Sequence, residues 1–434
     1  MFESRLFRFF TLFTVVFAVF ITSITSFVGC SSESQEPKIP VDTLKVNIDT
    51  VPKVDTSFIR AVTATAEEDT VKVIRVSDQA DLDTPYQVDD KAGKSVKRVF
   101  TGKRINIAII GVDSRLGAGT KHADANHILS ILVDSGTIEI TSIPRDTPAD
   151  AGMPDSSGQN KLTIVYVTKG KQAYFEKAAN IAGLDKIHYY VEVSFSQAMG
   201  ILELVGLKDP ASALQVLRSR KGLGGDDYQR SYNQGQFIGQ MIFKHFEKLM
   251  GPFGDLILRG GLAITETNLN FQTAKNLLAQ LKAKGFGKDK ERIINRVRPP
   301  MGMNFKVFDF TDAKTFKTLG KKIEYFNQSQ IEEDSTQTLS GKPNVAYRLK
   351  NAISKSVSDS AKNPQRVINT LKVYFAQHAW LQVTNQVERD RIRQDMCNLL
   401  YNAYIKRKDK KSADNVKRIV EDEKKLFESG ALKN

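Results

Sequence analysis

Eight residues between positions 113 and 234 could serve one piece of chemistry: Asp113, Asp124, Arg145, Arg218, Arg220, Asp227, Arg230 and Gln234. Arginine offers an always-charged, planar fork of donors that matches phosphate oxygens two at a time. Each charge-assisted hydrogen bond contributes about 1.5–3 kcal/mol. Four arginines aimed at one point would repel one another, so the set makes sense around closely spaced negative charge such as a pyrophosphate. Carboxylates beside that charge suit a hard divalent cation, since magnesium is held by one or two carboxylates and completed by substrate phosphates. Asp113 or Asp124 could instead act as a base, and spacing leaves this open. Taken singly, each residue reads as a surface charge or an ion-pair partner. Taken together they read as a site.

The elements that must position these residues are visible in the local pattern. Residues 104–112, Arg-Ile-Asn-Ile-Ala-Ile-Ile-Gly-Val, are nearly all apolar from Ile107, as in a strand buried on both faces, and Asp113 ends it. The glycine-punctuated stretch 114–120 predicts a loop that delivers Asp124 just before a second apolar run, His127 to Val133. A third strand over Thr137 to Ile143 stops at Pro144, which leaves Arg145 at a strand end. Arg218 and Arg220 differ by two, which on an extended strand points both to one face. Asp227, Arg230 and Gln234 fall at i, i+3 and i+7, one stripe of a helix. That helix continues through Phe237 to Phe243, whose apolar positions could line a greasy cavity or face the core.

These residues resemble the signature blocks of a known family. Gly111-Val-Asp-Ser-Arg115, Ala123-Asp124, Ser142-Ile-Pro-Arg-Asp-Thr147, Arg218-Ser-Arg-Lys-Gly222, Asp226-Asp-Tyr-Gln-Arg230 and Gln234 look like those of LytR-CpsA-Psr (LCP) proteins, and Tyr189 to Phe195 is similar to the family's middle strand. The likeness covers residues 101–327. It implies a three-layer α/β/α domain with a central mixed sheet. It also implies a cell-envelope phosphotransferase that moves a glycopolymer from an undecaprenyl-pyrophosphate carrier to peptidoglycan or another wall acceptor. Carried over by position, Asp113 and Asp124 match the aspartates that bind magnesium (or manganese), and Arg145, Arg218, Arg220 and Arg230 match the pyrophosphate-binding arginines. Asp227 and Gln234 match polar members of that site, with Asp113, Asp124, Arg145 and Asp227 as the catalytic group. Arg115 falls at another basic position of the substrate site. His122 and Asn126-His127 depart from the family pattern, and a lone histidine such as His127 reads as structural. Without clustered Cys/His spacing, zinc is not expected.

The chain ends point to the cell envelope. Arg5 and Arg8 precede an apolar segment, and Ser26-Phe-Val-Gly-Cys30 resembles a lipoprotein processing site, so residues 1–30 read as a signal peptide with Cys30 lipidated. The competing reading is a single uncleaved span over Phe9 to Gly29, about 20 residues, enough to cross a bilayer. Cys397, the other of two cysteines, is then left unpaired. Residues 31–100 read as a flexible spacer with one strand-like patch at Val41 to Val51. Residues 328–343 read as a linker, and 344–434 as a basic helical region, with Ile392, Met396, Leu399, Leu400 and Ala403 on one face and Val416, Ile419, Val420 and Phe427 on another. Arg389, Arg391, Arg393 and the run Lys406 to Lys411 could touch anionic lipid or glycan, or form an ordinary solvated face.

The 434 residues and 41% hydrophobic content allow one substantial domain with a smaller one. A net charge of +14 raises nucleic-acid binding as a class, but the chain carries no helix-turn-helix, zinc-finger or aromatic-basic RNA-binding signature. A polyprenyl-pyrophosphate pyrophosphatase would use the same site with water as acceptor. A non-catalytic glycan-binding or assembly protein would keep the arginines and lose the aspartates, which are both present here.

Overall fold

A computed structural model of the protein describes residues 86–94, 102–113, 116–220, 223, 226–333 and 344–432. The anchor segment, Cys30 and the patch at 41–51 lie outside these residues. Among the described residues no helix is long and apolar enough to cross a membrane. All of them fall within one compact unit, Glu68–Asn434.

The first described strand, β1 (Gln87–Asp89), lies within the stretch read as spacer, yet it pairs antiparallel with β8 (Phe305–Val307), and Ala92 beside it is buried. Residues 87–92 of the stretch 31–100 are therefore attached to the domain. Strands β2 (Arg104–Asp113), β3 (His122–Leu132), β4 (Thr137–Ile143), β5 (Tyr189–Ser194), β6 (Glu266–Thr267) and β7 (Ile293–Val297) form one mixed sheet in the order β6-β5-β2-β3-β4-β7. The β2–β5 and β4–β7 pairs are parallel; β2–β3, β3–β4 and β5–β6 are antiparallel.

Both faces of the sheet are covered, as the apolar runs require. Ala108, Ile110 and Val112 of β2 pack with Leu162, Val165 and Tyr174 of helices α1 (Leu162–Thr168) and α2 (Gly170–Ala182). On the other face, Ile107, Leu129 and Ile140 meet Phe246 and Leu281. That face is covered after α3 (Phe195–Leu204) and α4 (Pro210–Arg218) by α5 (Asp227–Leu249), α6 (Gly254–Ile264) and α7 (Phe271–Ala283). The result is the expected α/β/α sandwich. Two glycines set how closely α5 approaches it. A Cβ at Gly235 would lie 2.5 Å from Ser142 Oγ, and one at Gly239 would lie 2.9 Å from Ile293 Cγ2. Only the bare backbone lets the helix rest on β4 and β7.

Helix α8 (Ala313–Glu333) continues through residues 328–333, so the stretch read as a linker begins as helix. Beyond it, α9 (Val345–Asp359), α10 (Pro364–Ala376), α11 (Gln386–Lys406) and α12 (Lys410–Ser429) enclose a core around fully buried Trp380. The two apolar faces expected for this region are its inner faces: Ile392, Met396, Leu400, Ala403, Val416 and Val420 are buried, and Leu399, Ile419 and Phe427 pack at their edge. The same cluster includes Leu204, Ile257 and Ile264 of the α/β part, so the helical region shares its core with the sandwich.

Two arginines expected on a basic outer surface are in fact inside. Arg389 Nη1 lies 2.6 Å from Glu203 Oε2 on α3, and Arg393 Nη1 lies 3.2 Å from Glu423 Oε1 on α12. Burial makes those partners obligatory. The run Lys406 to Lys411 stays largely exposed, as an ordinary solvated face does.

Candidate active site

The two aspartates come from adjacent strands, and a β-bulge aims one of them. Gly111 pairs with Ala125 and Val112 with Ala123, which leaves Asp124 as the extra residue of β3. A bulge re-aims the side chain at its centre and shifts the alternation beyond it. Leu129 and Ile131 face α5, Ile128 faces α1 and α2, and across the bulge Ala123 joins the α1–α2 face. Asp124 is thereby released to the cavity side, where Asp113 also opens. The sequence placed Asp124 in a loop; it belongs to a strand that begins at His122, because the glycine-rich loop is shorter than its composition suggested.

Arg145 follows β4 as expected, and its Nη1 donates to Asp124 Oδ1 at 2.8 Å. Arg218 and Arg220 do not share a strand face. Arg218 is the last residue of α4 and Arg220 sits in the bend after it, because Asp209 caps the segment through Ser212 N and Pro210 opens it as helix. Both arginines still reach the cavity: Arg218 Nη2 lies 3.8 Å from Asp113 Oδ2, and Arg220 Nε lies 3.3 Å from Asp227 Oδ1. Asp226 caps α5 through the amides of Tyr228 and Gln229, and this fixes the stripe of Asp227, Arg230 and Gln234. Arg230 Nη2 lies 2.5 Å from Asp227 Oδ1, and Gln234 Nε2 donates to Leu217 O at 2.9 Å.

The arrangement encloses a cavity of about 430 Å³ lined by Asp113, Asp124, Arg145, Arg218, Arg220, Arg230 and Gln234. Asp227 stands behind this wall as partner to Arg220 and Arg230. Arg115 lies outside the described residues. The rest of the wall is apolar, from Ile109 and Val193 of the sheet to Phe195, Ile201, Leu217 and Phe237 on α3, α4 and α5. Phe237 and Ile238 thus line the cavity, one of the two roles open for that stretch.

Electrostatics marks the cavity as built for an anion. Among the described residues, buried Arg145 Nε, Arg220 Nη2 and Arg230 Nε have no hydrogen-bond partner, while Arg230 Nη2 is held by Asp227. Burial, together with the charges of Arg220 and Arg145, holds the Arg230 guanidinium below its ordinary pKa against the pull of Asp227. An anion in the cavity would supply the missing acceptors and relieve this repulsion. A divalent cation fits the carboxylates: Asp124 commits one oxygen to Arg145, and half-exposed Asp113 has, among the described residues, a guanidinium 3.8 Å away. Among the described residues no three His, Cys, Asp or Glu side chains converge, so a cation here would be completed by substrate oxygens and water.

Asp146 is a member of the site that sequence reasoning passed over. Its Oδ2 lies 3.7 Å from Arg145 Nε and 3.8 Å from Arg220 Nη1. Burial works to raise its pKa, but the Lys161 hydrogen bond and the charges of Lys161, Arg145 and Arg220 outweigh it and hold the carboxyl below the usual range. The signal available was its place beside Arg145 in the Ser142-to-Thr147 block. His127 is buried under the cavity with its Nδ1 2.9 Å from Ser142 Oγ. Burial first, then Arg230, lower its pKa to about 4 despite a contribution from Gln234, so the ring is neutral near pH 7, as a structural histidine would be.

Residues 64–206 match the LytR_cpsA_psr family model, a span that holds Asp113, Asp124 and Arg145. No curated protein matches the chain. Among solved structures, it is similar to B. subtilis TagV at 20% identity, over 52% of this chain and 98% of that one, with a TM-score of 0.37. Similarity to protein gbs0355 from Streptococcus agalactiae is 16% in identity over 51% of this chain and 88% of that one, with a TM-score of 0.36. A structure of TagT bound to LIIa-WTA is 16% identical over 54% of this chain and 94% of that one, with a TM-score of 0.34. What these comparisons establish is a likeness to the LytR-CpsA-Psr family over the segment 64–206, which carries both aspartates and Arg145.

Proposed function

We propose that this protein transfers a glycopolymer from an undecaprenyl-pyrophosphate carrier to peptidoglycan or another wall acceptor, at the membrane surface of the cell envelope. The observation that carries this reading is one cavity in which unpartnered guanidinium donors meet an apolar wall. Pyrophosphate oxygens would take up the donors of Arg145, Arg220 and Arg230, with Arg218 at the rim, while the first isoprene units lie against Phe195, Leu217 and Phe237. Asp113 and Asp124 would hold a magnesium ion, which when bound supplies positive charge to the phosphate oxygens.

The acceptor hydroxyl oxygen bonds to the glycan-bearing phosphorus, the bond from that phosphorus to the bridging oxygen breaks, and the hydroxyl proton ends on the departing undecaprenyl phosphate. The chain's own contribution is orientation in line and stabilisation of charge on the transferred and leaving oxygens. Asp227 keeps Arg220 and Arg230 directed into the cavity, and Asp124 does the same for Arg145. The basic start, the apolar segment and Cys30 support an N-terminal membrane anchor that keeps this cavity near its lipid.

The test supplies a synthetic undecaprenyl-pyrophosphate glycan, wall fragments and magnesium, and follows the covalent glycan–wall product. Arg220→Ala should lower turnover by about 100-fold, the scale of removing one donor from developing charge, and a chelator should abolish it. Wild-type turnover in Arg220→Ala would overturn the site. Glycan phosphate released to water at the same rate without wall fragments would make the protein a pyrophosphatase. Failure of the wild type to bind or convert the lipid would defeat the reading altogether.

A further inference from the structure

Resting on this functional reading, we infer that the C-terminal helical region is a working part of the site, and that Gln377 is a positioning residue that fixes the loop between the two aspartate-bearing strands. Gln377 lies 260 positions from that loop and beyond the family-matched segment, yet its buried amide grips the loop from both sides. Its Oε1 accepts from Gly117 N at 2.9 Å, and its Nε2 donates to Ala118 O at 3.1 Å. One residue earlier in the loop, Leu116 O accepts from Arg348 Nη2 of α9 at 3.0 Å. Gly117 has φ +77°, and a Cβ there would lie 2.5 Å from the Tyr374 ring, so the loop backbone is seated directly on α10.

The same turn holds the other wall of the cavity. Ser194 Oγ donates to Gln377 O at 3.1 Å, Gln197 Nε2 donates to Ala376 O at 3.2 Å, and Gln382 Nε2 donates to Ser196 Oγ at 2.7 Å. These three residues open α3, whose Phe195 forms the apolar wall beside Arg218. One turn of chain therefore holds both residues 117–118 of the inter-strand loop and the helix that lines the lipid side.

The turn is held rigid from behind. His378 adopts φ 48°, a left-handed conformation uncommon for a residue with a side chain. Such a conformation persists where its surroundings over-determine it, and it is a feature of sites whose geometry matters. Here Glu423, fully buried on α12, accepts from His378 Nδ1 at 2.6 Å, Trp380 Nε1 at 2.7 Å and Arg393 Nη1 at 3.2 Å. Burial works to raise the pKa of Glu423, but these three partners outweigh it and keep the carboxylate charged. An unbroken series of contacts runs from α12 through the 377–380 turn to the loop beside Asp113.

Gln377→Met in the full chain removes both amide bonds, keeps the side-chain volume and leaves the carbonyl that Ser194 uses. A second variant, Arg348→Ala, loosens the loop through a different bond. Three readouts are taken: hydrogen exchange at residues 116–118, magnesium-dependent binding of geranylgeranyl pyrophosphate, and the separate kcat and KM of transfer. Both variants should unfold cooperatively, exchange the Gly117 amide at least tenfold faster, and lose about 100-fold in kcat with acceptor KM little changed, the scale of a misplacement of about 1 Å. Faster exchange with unchanged probe affinity and kcat would overturn the inference, as would unchanged exchange. If the wild type neither binds the probe nor turns over, the functional reading has failed before any variant is compared.

Discussion

His127 is almost fully buried in the wall of the cavity, so its proton affinity reports on folding as well as on the site. Its folded pKa is lowered to about 4, whereas the unfolded chain protonates it near 6.5. Between those values the unfolded state binds the extra proton, so stability is flat above 6.5 and falls as pH drops toward 4. The loss reaches on the order of 3 kcal/mol for this one group. Buried His245, also lowered to about 4 by burial and by Lys248 and Lys244, adds a loss of the same sign. Urea midpoints measured at about pH 7 and about pH 5 should therefore differ in the wild type, and His127→Gln should remove part of that difference. An unchanged pH dependence in the variant would show that His127 is protonated in the folded protein. The residue types themselves were readable from the chain: four arginines and two aspartates suit anion and cation chemistry once a fold brings them together. Asp146 was missed because its role depends on Arg220, which is 74 positions away and comes near it only in the fold.

At the scale of elements, the site depends on how closely α5 lies on the sheet. Gly235 and Gly239 face Ser142, Ile140 and Ile293 with no room for a side chain. Gly235→Val should force β4 and α5 apart and cost about 1–3 kcal/mol, as overpacking does. It should also weaken binding of an isoprenyl pyrophosphate, because Arg230 and Gln234 ride on the same helix. A denaturant midpoint equal to the wild type's would mean that the helix can slide without penalty. Strand β2, the end of β4 and the helix carrying Asp227 were legible because apolar alternation and a stop at proline or glycine are local signals. The strand expected for Arg218 and Arg220 was a misreading of a short segment. Two residues spaced by two cannot distinguish a strand from a helix end, and the cap at Asp209 with Pro210 decided for helix. The bulge at Asp124 had no local signal, since it arises from the register of two strands.

On the scale of the whole molecule, the buried carboxylate of Glu423 ties α11, α12 and the 377–380 turn into one polar knot inside an apolar core. Removing one partner from such a knot leaves charge buried without compensation. Glu423→Ala should therefore cost about 3–5 kcal/mol in chemical denaturation, with His378 Nδ1 and Trp380 Nε1 losing their acceptor and Arg393 keeping only Asp390. A loss below about 1 kcal/mol would mean that water enters and replaces the carboxylate. The shared core around Trp380 predicts a single cooperative transition for the described unit, and separate melting of the helical region would contradict it.

By itself the sequence determined the doubly buried strand ending at Asp113, the helical character of the C-terminal region and the identity of the charged groups, because periodicity and side-chain chemistry act over a few residues; the layer architecture came from the family resemblance. Tertiary structure alone decided that Asp124 leaves the pleat at a bulge and that Asp146 joins the arginines. It also turned Arg389 and Arg393 inward to acidic partners and set Gln377 against the loop beside Asp113. Each of those outcomes rests on contacts between segments distant in the chain, and no local pattern of residues encodes which distant partner a charge or an amide will meet.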